Sequence, residues 1–258
     1  MSEGSALPAL AWLAGVASEA WPVVLVAVAL TQAAVFATSI YLHRALAHRA
    51  LVMRPVTDMV FRTALWLTTG QRRRQWVAVH RKHHAFTDRR GDPHSPRLLG
   101  YWRVQLLNVW LYVRAARDAA TLATFASDVR EDWLDRHVFD RGWLGVAIGT
   151  VALVPALGLV GAVAAMVLHA LLYVFVLAPL INALGHWRGA QNFPNTAYNS
   201  RLLAWVTGGE SLHNNHHARP RAAKFSVRGW EFDPCWPVIR TLAAVRLIIL
   251  IGTTSRLS

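Results

Sequence analysis

Twelve histidines stand in this 258-residue chain, and ten of them fall in four short groups. The first reads His43-Arg-Ala-Leu-Ala-His48. The second reads His80-Arg-Lys-His83-His84 and is followed by Asp88, Asp92 and Pro93-His94. The third is Asn182-Ala-Leu-Gly-His186, and the fourth is Gly209-Glu210-Ser-Leu-His213-Asn-Asn-His216-His217. On a helix, positions i, i+3 and i+4 share a face. His80, His83 and His84 are therefore expected to point one way, and so are His213, His216 and His217. Asn182 and His186 lie one turn apart. His43 and His48, at i and i+5, converge only if the helix ends or tightens between them. Imidazole suits iron, zinc, copper and nickel. Eight or nine imidazoles exceed what one ion can hold, so two ions sharing them is the economical reading.

The same reasoning sets two histidines apart. His169 lies in an apolar stretch with no partner nearby in sequence and reads as a packed, structural histidine. His137 reads as a solvated residue at an interface. Soluble di-iron proteins draw on Glu and Glu-x-x-His pairs inside a four-helix bundle. With 14 acidic residues in all, the site here is expected to be mainly nitrogen-ligated. Metal-bound imidazole needs its other nitrogen hydrogen-bonded, usually to a carboxylate or carbonyl. Asp88, Asp92 and Glu210 stand close enough in sequence to serve, although Asp88 could equally pair with Arg89 or Arg90.

The elements that position these groups are read from hydropathy. The chain is 54% hydrophobic, 16% charged and holds 12 Trp, too apolar and Trp-rich for an ordinary soluble domain. A spanning helix needs about 20 apolar residues. Spans are expected at 21–42, 143–160 and 161–184, with a turn between Pro155 and Gly161. The apolar stretch from Ala6 to Ala17 is either an interfacial helix or a short first span over 6–18. No cleavable signal peptide is expected, because Met1 to Ser5 lacks a basic region and carries Glu3. Met53 to Thr69 mixes apolar residues with Arg54, Asp58 and Arg62 and fits a helix lying on the membrane surface. Trp236 to Ile251, with Arg240 and Arg246, reads as a membrane-hugging helix. The fold expected is all-α: a single membrane domain over 1–258 with three or four transmembrane helices. A cytosolic helical cap, from 43–141 and 185–258, would carry the metal site.

The formal charge of +13 follows the positive-inside rule, which places the Arg-rich region 43–141 in the cytoplasm. No nucleic-acid motif accompanies it, so nucleic acid is not an expected partner. One Cys excludes a disulfide framework, a cysteine zinc site and an iron–sulfur cluster.

At the histidine groups the chain resembles the membrane fatty-acid desaturases, in particular the stearoyl-CoA (delta-9) branch. That family is marked by H-x4-H, H-x2-H-H and H-x2-H-H boxes, here His43–His48, His80–His84 and His213–His217. The surroundings match as well: Tyr41-Leu-His-Arg before the first box, Thr87-Asp88 and Asp92-Pro93-His94 after the second, Gly209-Glu210 before the third. The resemblance runs from about Tyr41 to Trp236. Two positions depart from the pattern. The box that commonly reads Gly-Glu-Gly before an aromatic residue here reads Gly209-Glu210-Ser211-Leu212, and the often aromatic position after His-His-Ala is Arg219.

The resemblance implies a di-iron enzyme that uses O2 and two electrons to introduce a double bond into a long-chain acyl group, with zinc able to replace iron on expression. It implies His43, His48, His80, His83, His84, His186, His213, His216 and His217 as ligands, with Asn182 acting through a metal-bound water. His94 would lie beside the ligands or toward the substrate. A hydroxylase of the same superfamily is the nearest alternative, and a metal carrier without turnover the more distant one. The physical reading agrees: breaking an aliphatic C–H bond needs a redox metal, and the protein must place one methylene pair against it and exclude water. No haem-attachment motif or dinucleotide fingerprint is present. Electrons are therefore expected from a separate ferredoxin, or from a cytochrome with its reductase. Arg72, Arg73 and Arg74, the densest basic run, meet either anionic lipid headgroups or a phosphate of an acyl carrier such as CoA.

Overall fold

The computed structural model describes residues 6–251, with side chains from residue 20 onward; Met1 to Ser5, read above for a signal peptide, lie outside the described residues. Helix α1 runs Ala6–Ala37. Its Ala, Val and Leu content leaves no polar face, and its contacts are set by position alone. Ala27, Thr31, Ala34 and Val35, at helical spacing, are buried, whereas Val24, Leu25 and Val28 face outward.

From Thr38 to Ala47 the helix widens into π-helical turns. Two short segments beyond it pair: β1 (Leu51–Met53) meets β2 (Ile248–Leu250) in antiparallel register, Leu51 opposite Leu250. This pairing ties the first histidine group to the chain after α10 (Cys235–Ala244). At ten residues α10 is about 15 Å long, half the thickness of a bilayer's hydrocarbon core. Ile40, Leu42, Leu51, Leu65, Ile239 and Ile248 form the largest apolar cluster where these elements meet.

Helix α2 (Pro55–Thr69) is two-faced. Thr57, Arg62, Leu65 and Trp66 are buried, and Val56, Met59 and Val60 are exposed. Helix α3 (Arg73–Phe86) carries the second histidine group. Short α4 (Pro96–Leu99), capped by the Ser95 side chain, leads into α5 (Tyr101–Ala116), whose regular geometry breaks at Leu107. Helix α6 (Ala119–Phe125) starts at Asp118, which caps the amides of Ala120 and Thr121.

Helix α7 spans Gly142–Ala170 and continues as π-helical stretches over Leu171–Leu177 and Leu180–Leu184. It is interrupted at Gly158, at φ 67 and ψ 171, a conformation essentially confined to glycine. There the chain turns back: Met166 packs over Gly149, while Gly142 and Gly145 lie against the backbone of Gly70 and Trp66. A side chain at Gly145 would meet the Trp66 carbonyl at 2.3 Å. His169, on the returning half, hydrogen-bonds the Thr31 hydroxyl and the Thr68 carbonyl, each at 3.0 Å. One imidazole thus joins α1, α2 and α7, which is the packed role expected of it. His137 stacks on Trp133 at the surface. By length and composition, two helical segments suffice to cross a membrane: 28 residues at Ala20–Ala47 and 43 at Gly142–Leu184. The second is about twice what one crossing needs, consistent with its reversal at Gly158.

The stretch between α6 and α7 neutralises much of the basic region. Asp128 pairs with Arg49 and Arg81, Glu131 with Arg74, and Asp140 with Arg72. Asp132 and Asp135 hold the buried Arg62 and also Arg73. Helices α8 (Arg201–Ala204) and α9 (His213–Ala218) complete the histidine-bearing layer.

Candidate metal centre

The nine histidines of the three boxes and His186 gather into two sets. His43, His48, His80, His84 and His216 lie together, as do His83, His186, His213 and His217, with ring nitrogens within 4.8 Å of one another in each. The first box converges by one of the two routes its spacing allowed, with a widened turn in place of a tightened one. The helix ends at Ala47, between the two histidines, and its last turns do not tighten but loosen. In a π-helical turn the amide of residue i+5 bonds the carbonyl of residue i, and here the His48 amide bonds the His43 carbonyl at 3.0 Å. Positions five apart therefore share a face, and the two rings sit 4.9 Å apart. In the two H-x2-H-H boxes the helices are regular, yet each triplet is divided. His80 and His84 go to the first set and His83 to the second, whereas His213 and His217 go to the second and His216 to the first. The sets touch where His84 stacks on His217, 4.3 Å between centroids and 12° between planes.

The chemistry of the donors shows what they fit. In the first set Nε2 of His43 and His216 are 3.0 Å apart, those of His48 and His80 2.8 Å, and those of His84 and His216 2.9 Å. In the second, His186 Nε2 lies 3.1 Å from that of His83 and 3.0 Å from that of His213, which is 3.1 Å from that of His217. The opposite nitrogens face acceptors. His83 Nδ1 donates to Asp92 at 3.0 Å, His186 Nδ1 to Asp88 at 2.9 Å and His43 Nδ1 to Glu210 at 2.6 Å. His213 Nδ1 donates to the Glu210 carbonyl at 3.2 Å. A neutral ring that donates through Nδ1 presents a bare lone pair at Nε2. The Nε2 atoms of His83 and His186 are then two lone pairs face to face, which is repulsive unless a cation lies between them. Separations of about 3 Å are those of adjacent nitrogens on an ion with bonds of about 2.1 Å. The donor set fits a metal in each histidine group.

Electrostatics agree. Burial, then the crowding of neighbouring imidazoles, holds His48, His80, His84, His213, His216 and His217 well below the usual histidine range. Burial lowers His186 also. These rings are neutral at pH 7, the form that binds metal. Burial alone would raise Asp88 and Asp92, but the hydrogen bonds from His186 and His83 hold both below their ordinary values.

The three carboxylates suggested by sequence thus each meet a histidine, and Asp88 takes its place beside His186, Ser95 and Arg97 instead of Arg89 or Arg90. His94 stays outside both sets. It is buried, stacks on His83 at 4.5 Å and is pushed down to about 3 by burial and by His83. The chain does contain one Glu-x-x-His spacing, Glu210 to His213. Its carboxylate turns to His43, Ser39 and Arg44, outside both histidine sets. Arg44 is a supporting residue that sequence reasoning missed. Fully buried, it makes a two-pronged pair with Asp233 at 2.8 and 3.0 Å and lies over the Phe225 ring. Asn214 and Asn215, inside the third box, were missed as well. They point away from the metal side and are held by Asn199, Asn195 and Glu231, which anchors α9. The signal for both was their place inside a box.

Two cavities reach the histidines. One of about 110 Å³ is bounded by His43, His80, His83 and His213 and by apolar Val35, Leu177 and Ile181. The other, of about 320 Å³, runs between α3, α5 and the π-helical stretches and is lined by Arg72, Gln75, Val109, Val113 and His94. Gln71, Trp76, His80, Tyr173, Ala178 and Asn182 line both. All three arginines of the basic run are engaged, Arg72 by Asp140, Arg73 by Asp135 and Arg74 by Glu131, and Arg72 alone of the three lines this space.

Comparison with known proteins places these features. A family model described as "Fatty acid desaturase" matches residues 19–247. The Delta-9 acyl-lipid desaturase 2 of Arabidopsis thaliana is 30% identical over 221 residues, covering 80% of this chain and 66% of the relative. The Delta-9 acyl-lipid desaturase 1 of the same plant is 30% identical over 238 residues, 88% of this chain and 74% of the relative. The Acyl-CoA C20 Delta5-desaturase of Anemone leveillei is 29% identical over 220 residues, 81% of this chain and 66% of the relative. The chain spans about two thirds to three quarters of the length of these relatives. With its match over residues 19–247 and its paired histidine sets, the chain belongs to the fatty acid desaturase family.

Proposed function

We propose that this chain is a membrane-embedded, O2-dependent desaturase of long-chain fatty acyl groups. The observation that carries the reading is the pair of histidine sets whose Nε2 lone pairs converge beside an apolar cavity. Nine histidines would hold two irons, five for one and four for the other, with Asn182 acting on the four-histidine set through water. Bound there, the irons would supply the oxidising power that an unactivated C–H bond requires. The net change is RCH2CH2R′ + O2 + 2 e⁻ + 2 H⁺ → RCH=CHR′ + 2 H2O.

The chain's own residues perform the rest. Val35, Leu177 and Ile181 make a wall against which a methylene run sheds water. The histidines at one side of that cavity set which carbons lie nearest the oxidant. Asp88, Asp92 and Glu210 keep Nδ1 protonated on His186, His83 and His43, so that Nε2 faces inward. Arg72, at the wider cavity, meets the anionic head of the substrate, whether a CoA phosphate or a lipid headgroup. Relatives are named for both acyl-lipid and acyl-CoA substrates.

Spans at 21–42, 143–160 and 161–184 would put both histidine-bearing parts on one side, and the arginine excess makes that side cytoplasmic. Val160, 83% exposed at the Gly158 turn, suits the hydrocarbon region. A separate ferredoxin or cytochrome would supply electrons.

The test is turnover by the iron-loaded protein with a long-chain acyl-CoA and a reduced ferredoxin or cytochrome. Oxygen uptake should match double bonds formed one to one. Uptake of no oxygen would leave a metal carrier, and turnover with NADH or NADPH alone would remove the separate donor.

A further inference from the structure

Asn108 is a polar residue in an apolar seam. It stands between Val104 and Leu111, at i, i+4 and i+7, on the face of α5 that packs against Leu180–Leu184. Val104, Leu111 and Ala183 form one buried cluster there. An amide in such a place costs free energy unless it is hydrogen-bonded. Its partner is Asn182, whose Nδ2 donates to Asn108 Oδ1 at 3.2 Å. Both sides of the contact are irregular. Helical geometry in α5 fails at Leu107, immediately before Asn108, and Asn182 rides on a π-helical turn.

Asn182 lines both cavities; His83 and His213 of the four-histidine set border the smaller one, as do His43 and His80 of the other set, and His186 of the four-histidine set follows Asn182 by four residues. Nδ2 of Asn182 is committed to Asn108, and among the described residues no side chain or backbone group donates to its Oδ1. The opposite amide orientation would aim two N–H donors at a metal-bearing site. Asn108 could turn over with it and keep the pair hydrogen-bonded, so it is the donors facing the metal side that disfavour this orientation.

We propose that Asn108 is a positioning residue, which holds Asn182 with its carbonyl oxygen toward the four-histidine set to accept a hydrogen bond from a water that completes that set. The inference rests on the reading of Asn182 as acting through water. Five imidazoles form one set and four the other, so the water and its Asn182–Asn108 tether make up the difference.

The experiment uses the protein loaded with two ⁵⁷Fe per chain and records Mössbauer spectra, in which the two sites give separate doublets. Asn108→Leu removes the acceptor at similar volume. It should keep both irons, shift one doublet and leave the other as in the parent. It should lower kcat about tenfold, the lower end of the usual cost of losing a ligand's supporting hydrogen bond, with KM within about twofold. Asn108→Asp keeps an acceptor oxygen and should restore the parent spectrum. In an Asn182→Ala background, Asn108→Leu should add no further spectral change. An unchanged Asn108→Leu spectrum beside a shifted Asn182→Ala spectrum overturns the inference alone. So does a shift in both doublets, or an added change in the Asn182→Ala background. An Asn182→Ala spectrum identical to the parent overturns the water reading and this inference with it.

Discussion

At the scale of single residues, imidazole chemistry carries the site. A ring that is to offer Nε2 to a metal holds Nδ1 elsewhere, and four rings do so through Asp88, Asp92 and Glu210, whereas His216 Nδ1 has no hydrogen-bond partner among the described residues. Replacing His216 by Ala should cost close to one metal per chain, from the five-histidine set, and His83→Ala close to one from the other. His169→Ala should keep both metals, since that ring binds Thr31 and Thr68. Metal analysis of the three purified variants checks this. The lowered histidines also set a pH dependence for the metal-free protein. Their folded pKa values lie below the unfolded value of about 6.5. Below that pH the unfolded chain binds more protons, so stability falls as pH drops from about 6.5 toward the folded values and is level above it. Thermal unfolding of the metal-free protein across pH 5 to 8 should show this slope; a flat profile would contradict it. Much of the site was legible here because ligand type and spacing are local properties. The partition of each triplet between two sets was not. It depends on where two helices meet, and i, i+3, i+4 spacing gives a shared face without saying how another helix divides it. Arg44 and Asp233 escaped for a like reason: their partnership spans 189 positions of sequence.

At the scale of elements, two departures from regular helix do the positioning. The π-helical turns at Thr38–Ala47 bring His43 and His48 onto one face. Inserting one residue after Ala45 would lengthen the spacing to six and rotate His48 by about 100° against its present partners. The five-histidine set should then lose its metal while the other retains one. Hydropathy marked this stretch only as the end of a span, because a change in turn width leaves no trace in composition. The reversal at Gly158 is the second. No atom lies within 4 Å of a side chain added there, so Gly158→Ala tests backbone strain alone. It should cost about 1–3 kcal/mol and lower the unfolding temperature in detergent. Gly229→Ala, also in open space and without a positive φ, should not. The reversal was foreseeable, since Pro155 and two glycines interrupt an apolar run too long for one crossing.

At the scale of the whole molecule, two long apolar helical segments lead into or end beside the histidine groups, His43 and His48 at the end of the first and His186 just after the second. Two cavities open beside the histidine sets, and the proposed acyl chain would lie there. Arg72→Gln should raise the Michaelis constant for acyl-CoA several-fold with a smaller change in kcat, because a headgroup contact is shared by ground and transition states. Arg74→Gln, at a residue that does not line the wider cavity, should change it less. Equal effects of the two on initial-rate kinetics would argue for general surface charge. Composition announced the long apolar helices, and the boxes announced the clustering of the histidines. The pairing of the Arg-rich region with the acidic stretch before α7 was not foreseeable, since charge counts do not reveal which charges neutralise each other. The measurement that reaches the central claim most directly is mass spectrometry of acyl chains from cells expressing the chain under ¹⁸O2. The account predicts acyl groups two hydrogens lighter with no ¹⁸O in the chain, absent when His83 or His216 is Ala. Acyl groups carrying ¹⁸O, or a product that persists in both variants, would contradict it.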